Sequence, residues 1–147
     1  MFEKYTEKAR MAIFHAREET SKFGSLRIES EQLLLGLLTA DKSIFGRYLG
    51  ARTSATEIRE AIVQATEVRP PTPTSMNLPL SNECARILKF GAEEATSSGR
   101  QHVDTEDLLI GILREEDSFA ARLLVDRGLD LKRARRLAER ILPQPHY

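Results

Sequence analysis

Three observations predict an all-α fold built from two equivalent halves. The stretch Glu29-Ser30-Glu31-Gln32-Leu33-Leu34-Leu35-Gly36-Leu37-Leu38 returns as Asp104-Thr105-Glu106-Asp107-Leu108-Leu109-Ile110-Gly111-Ile112-Leu113, displaced by 75 positions. The same register aligns Glu18-Glu19 with Glu93-Glu94, Gly24 with Gly99, Ser43 with Ser118, and Arg47, Leu49 and Arg52 with Arg122, Leu124 and Arg127. Apolar residues recur at helical spacing, and no segment alternates with period two between turn signals, so no sheet is expected. An internal repeat takes precedence over other signals, and two copies are too few for a solenoid. The prediction is therefore one pseudo-twofold domain of two four-helix repeats, about eight helices, joined by a Pro-rich linker. Its boundaries are 1–65, linker 66–79, 80–142 and a tail at 143–147.

The first helix runs from Thr6 to Phe23, with Ala9, Ala12, Ile13, Ala16, Thr20 and Phe23 on one stripe and Gly24 as its C-terminal stop. The second copy keeps the stripe as Cys84, Ile87, Leu88, Gly91 and Ala95, stopped at Gly99. Thr6 and Ser81, opposite each other in register, are plausible caps. The central helices start at Ser30 and Thr105, whose hydroxyls can accept from orphan amides, and the acids that follow suit the helix dipole. Being apolar nearly all round, these helices belong in the core. Gly36 and Gly111 cost ~1 kcal/mol each inside a helix, a cost most easily offset where another backbone packs closely. Ile28 and Val103 precede the central helices and anchor their lead-in loops. Short third helices follow from Ser43 and Ser118. Fourth helices begin near Ser54 and Asp130, with Ile58, Ile62 and Val63, or Leu131, Ala134, Leu137 and Ile141, facing inward. Between the halves, Pro70, Pro71, Pro73 and Pro79 make residues 66–79 an extended, semi-rigid connector that wraps across the surface.

With 147 residues, 41% hydrophobic and 30% charged, the chain can bury a real core. Its net charge of zero gives no global field toward nucleic acid or anionic membrane. No apolar run is long enough to span a bilayer and no signal-peptide pattern opens the chain. A single cysteine, Cys84, excludes an internal disulfide and fits a reducing compartment; the expected location is the cytoplasm. Cys84 stands in the register of Ala9, as a small core residue. The basic run Lys132-Arg133-Ala134-Arg135-Arg136 reads as a solvated helix face, since it lacks the aromatic interleaving of a nucleic-acid surface. His15 with Glu18 and Glu19 falls short of a metal site, which needs three or four convergent ligands, and the register partner of His15 is Phe90. No cofactor is expected. No nucleophile–base arrangement recurs between the halves, so the chain reads as a non-enzyme.

The motifs Tyr5-Thr6-Glu7-Lys8-Ala9-Arg10, Ala16-Arg17-Glu18-Glu19 and the two central stretches together resemble the amino-terminal domain of Clp unfoldases, most closely the ClpC type. The resemblance covers almost the whole chain. It implies an all-α domain that receives substrate or adaptor proteins for an attached AAA+ motor, in protein quality control and regulated proteolysis. The partners it implies are adaptors, substrates and the Clp machinery, not nucleic acid or membrane. No Gly-x-x-x-x-Gly-Lys-Ser/Thr loop occurs in the chain, so it is either one domain of a larger unfoldase or a stand-alone relative that delivers or competes for the same clients. The resemblance further implies a phosphoarginine pocket in each half, with Glu31 and Glu106 for the guanidinium and the helix starts at Thr6 and Ser81 for the phosphate. Both copies depart from the family's Gly-Thr-Glu-His motif, with Glu29 and Asp104 at the glycine and Gln32 and Asp107 at the histidine. The extra Asp107 repels phosphate, so the first half, around Glu31 and Thr6, is expected to be the better site. Phe2, Arg10 and Leu78 are the candidate adaptor contacts by the same resemblance.

Overall fold

The computed structural model describes residues 4–141. The first half holds α1 (Glu7–Phe23), α2 (Ser30–Ala40), a π turn (Phe45–Leu49) running into a 3-10 turn (Gly50–Arg52), and α3 (Ala55–Ala65). The second holds α4 (Asn82–Ser97), α5 (Thr105–Arg114), α6 (Phe119–Asp126) and α7 (Leu131–Ile141). The expected all-α pair of four-helix repeats is present, with one difference. Where the second copy forms α6, the first winds wider: Gly46 and Gly50 replace Ala121 and Val125, and Gly50 adopts φ 60°.

Caps and stops follow the sequence closely for the outer helices. Thr6 accepts from the Ala9 amide, Ser81 from that of Cys84, and Ser118 from that of Ala121. Gly24 ends α1 in the left-handed region at φ 67°. The central helices are capped one residue earlier than their hydroxyls predict. Glu29 caps α2, its amide donating to the Gln32 side-chain carbonyl at 2.9 Å. Asp104 caps α5, with its amide donating to Asp107 at 2.9 Å. Ser30 and Thr105 are thereby free to face inward and tie elements together. Ser30 Oγ accepts from the Ala120 amide of α6, and Thr105 Oγ1 donates to Asp41 at 2.6 Å.

The core is continuous. Leu33, Leu34, Leu37 and Leu38 of α2 and Leu108, Leu109, Ile112 and Leu113 of α5 are all buried, and the two helices touch at the pseudo-axis. Each also lies against the first helix of its own half, and there the glycines explain themselves. A Cβ on Gly36 would stand 2.3 Å from the Ala12 carbonyl oxygen, and one on Gly111 2.5 Å from that of Ile87. Val63 corrects the sequence reading: it is 44% exposed, because Ile58 and Ile62 already define the inward stripe of α3 and the next position turns outward. The side chain of Ile141 lies outside the described set.

No strand forms among the described residues, but two isolated bridges cross between the halves. Tyr5 pairs with Val103 and Ile28 pairs with Leu80. Thr6 N donates to Val103 O and Val103 N to Lys4 O; 75 positions on, Ser81 N donates to Ile28 O and Ile28 N to Pro79 O. The segment leading into the first helix of each half thus pairs with the segment leading into the central helix of the other. The connector runs as expected, across the end of α1: Arg69 N donates to Phe23 O and Thr72 N to Ser21 O, both at 2.9 Å.

Candidate functional site

The crossed bridges decide which residues meet. The start of α4, with Ser81 and Glu83, lies beside the start of α2, while Thr6 and α1 lie beside the start of α5. Thr6 Oγ1 donates to Asp104 Oδ1 at 2.9 Å. The sequence reading placed Thr6 with Glu31 because both belong to the first repeat; the fold puts Ser81 there instead and gives Thr6 to the α5 start.

At the α5 start every acid is matched. Arg47, on the π turn, joins Glu106 to Asp41, with its other terminal nitrogen 3.0 Å from Asp41 Oδ2. Arg100 takes Asp107 with both terminal nitrogens, at 2.5 and 2.6 Å. Glu106 and Asp41 are each only 3% exposed, so these are internal pairs that must be satisfied. Burial pushes the Asp41 carboxyl up, but hydrogen bonds from Ser43 and Thr105 and the charges of Arg47 and Lys8 outweigh it and hold the group below its ordinary range. For Asp107 burial wins over Arg100, and its carboxyl is raised.

The α2 start is different. Glu31 is half-buried and has no cation within ion-pair distance among the described residues; its carboxylate is met by its own backbone amide and by Ser30 Oγ at 3.4 Å. Burial pushes its carboxyl up, and Glu29 and Glu83 add to the shift. The buried Gln32 has spent its carbonyl on capping, which leaves Nε2 with no hydrogen-bond partner. An unpaired buried donor costs about 1–3 kcal/mol. A cavity of about 270 Å³ opens here, lined by Glu29, Glu31 and Gln32 with Arg27 and Arg69 among its other walls. Its lining brings carboxylates and guanidinium groups together, with the buried Gln32 beside them. That set complements a ligand with both a cationic and an anionic group.

Of the remaining candidates, Arg10 is exposed on α1 and Phe2 lies outside the described residues. Leu78 is buried, 5% exposed, as the connector's anchor, so its side chain does not reach a partner from there. His15 Nδ1 pairs with Glu18 at 2.8 Å, and no metal-binding cluster of His, Cys, Asp or Glu occurs among the described residues. Cys84 is fully buried and its thiol is pushed up to about 12 by that burial, as a core residue would be. Asp41, Arg47 and Arg100 were missed from sequence. One signal was available: positions 25 and 32 are Ser and Gln in the first copy, while their register partners are Arg100 and Asp107, a matched pair of charges.

Comparison with known proteins follows the same lines. The family model described as the Clp repeat (R) N-terminal domain matches residues 4–127. An ATP-dependent Clp protease ATP-binding subunit ClpA homolog of Guillardia theta is 33% identical over 144 residues, 97% of this chain and 17% of that protein. The chloroplastic chaperone protein ClpC1 of Arabidopsis thaliana is 33% identical over 132 residues, 88% of this chain and 14% of that protein. The chain therefore spans about a sixth of the length of these relatives. Among solved structures, the N-terminal domain of the caseinolytic protease associated chaperone ClpD of Arabidopsis thaliana superposes with a TM-score of 0.80 at 25% identity, covering 97% of this chain and all of that one. The Hsp104 N-terminal domain of Candida albicans, at 13% identity and a TM-score of 0.76 over 98% and 95% of the two chains, shares the fold.

Proposed function

The chain belongs to the Clp N-terminal domain family, and on that premise we propose that it receives substrate or adaptor proteins for a Clp-type unfoldase, with a phosphoarginine-binding pocket at the start of α2. The observation that carries this reading is Glu31, a half-buried carboxylate with no ion-pairing cation among the described residues, on a cavity that also presents Arg27 and Arg69. A phosphoarginine side chain suits that set. Its guanidinium nitrogens pair with the Glu31 carboxylate, and its phosphate oxygens accept from Arg27 or Arg69 on the cavity wall. Glu29 and Glu67 line the same cavity and set the limit on affinity, since they repel phosphate. The α5 start offers no equivalent, because Arg47 already fills the place of a guanidinium against Glu106.

Calorimetric titration with free phosphoarginine tests this. Heat is expected with the wild-type chain, lost with Glu31→Ala and reduced with Arg27→Ala. Glu106→Ala, scored only if it stays folded by circular dichroism, should weaken binding less than Glu31→Ala. Absence of heat with the wild type, or equal heat with Glu31→Ala, overturns the pocket.

A further inference from the structure

The two halves differ in how their closing helices settle on the central ones. In the second half α6 and α7 both lie against α5, and Ala120 of α6 and Ala134 of α7 are fully buried. Their register partners in the first half are Phe45 and Arg59, side chains too large for the same places. Both stay half-buried, and Arg59 turns to α1, where its two terminal nitrogens donate to Glu19 at 2.7 and 2.8 Å. A cavity of about 300 Å³ is left between the end of α2, the π turn and the start of α3. Leu35, Leu38, Phe45 and Ala55 make its apolar lining, and Thr39, Lys42 and Arg59 complete it.

Every charge on that lining is positive. Lys42 is exposed and has no ion pair among the described residues. Arg59 is paired, but Lys22 stands 3.6 Å from the same Glu19 carboxylate, so two cations share one acid and the cluster stays net positive. In the second half Asp117 holds the register position of Lys42, with the opposite sign. The volume lies at the lower end for small-ligand sites, roughly 300–1,000 Å³, which is room for a small apolar group and not for a helix face. An apolar bed beside one free ammonium complements an apolar group that carries one negative charge. A phosphate brings roughly two charges and three oxygens to satisfy, more than a single free cation answers. A carboxylate is matched by it.

We infer that this cavity binds an apolar side chain with an adjacent carboxylate, and that it takes the C-terminal residue of a substrate or adaptor protein. In a protein, only the C-terminal residue can carry an apolar side chain and a carboxylate together. The side chain lies among Leu35, Leu38, Phe45 and Ala55, and the terminal carboxylate meets Lys42. The inference rests on the receiving role proposed above and not on the pocket at the α2 start.

The test uses the full chain, isotope-labelled, titrated with acetyl-alanyl-alanyl-leucine, with the same peptide as its C-terminal amide, and with octanoate. Saturable amide shifts are expected at Leu38, Thr39, Lys42 and Phe45 with the free acid, and an affinity at least several-fold lower for the amide. Lys42→Ala should bring the acid down to the affinity of the amide and leave the amide unchanged. Ala55→Phe, from an exposed position on the cavity wall, should abolish binding of both. Should it fail to fold by circular dichroism, Thr39→Phe replaces it, with the same expectation. Phosphoarginine titration run in parallel reports on the α2 start alone: peptide binding without phosphoarginine heat removes that pocket and keeps this one, and the converse removes this one. No shifts with the free acid, equal affinity for acid and amide, or shifts with octanoate but not with the peptide would overturn the proposal.

Discussion

Glu31 and Asp41 are both carboxylates held by burial, yet their surroundings move them in opposite directions, and their replacements should answer pH with opposite signs. Glu31 is raised, so its ionised form is penalised in the fold; the stability tied to it is full below the ordinary glutamate range and is lost as pH rises through the folded value. Glu31→Gln should therefore raise Tm at pH 7, by roughly 2 °C, and the gain should vanish near pH 4. A lower Tm at pH 7 would show that Glu31 is stabilising as it stands. Asp41 is lowered; its contribution is full above the ordinary aspartate range and is lost as pH falls through the folded value. Asp41→Asn should cost about 1–3 kcal/mol at pH 7, measured by urea unfolding, and progressively less toward pH 3. At this scale the sequence was partly legible. Glu31 and Glu106 could be singled out, but not that one is open and the other closed, since Arg47 reaches Glu106 across 59 positions from a turn whose π winding no periodicity signals.

Among the elements, the helix pairs α1–α2 and α4–α5 are set by how closely their backbones approach. Gly36→Ala should improve helix propensity by ~1 kcal/mol yet destabilise the protein, because the new methyl meets the backbone of Ala12 and Ala16 and α1 must move as a unit. A net loss of about 1–3 kcal/mol is expected in thermal or urea unfolding. Gly46→Ala is the matched control: a Cβ there meets nothing within 4 Å, and it should be neutral or slightly stabilising. Equal effects from the two would remove close approach as the reason for the glycine. Helix existence, the buried stripes and the glycine contacts were readable, since each rests on local periodicity or on a cost that demands a compensating neighbour. The caps were displaced by one residue because Gln32 and Asp107 can close a reciprocal cap with Glu29 and Asp104, which outcompetes a lone hydroxyl.

Over the whole molecule, the lead-in segments are exchanged between the halves, and this is what the repeat alone could not reveal: a register says which positions are equivalent, not whether equivalents meet within a copy or across copies. Since the hydrogen-bond partners of the Thr6 and Ile28 amides, Val103 and Pro79, lie outside the first repeat, that repeat cannot satisfy its own lead-in amides. A fragment covering residues 1–65 should therefore lack a cooperative thermal transition, while the full chain melts in a single step; a cooperative melt of the fragment alone would show that the exchange is dispensable. The exchange has a consequence for a solitary repeat: one copy of this design could satisfy its lead-in amides only by trading those segments with a second copy of itself. A designed single repeat carrying the shared residues of both copies should accordingly sediment as a dimer, and a stable monomer would show that the exchange is not needed.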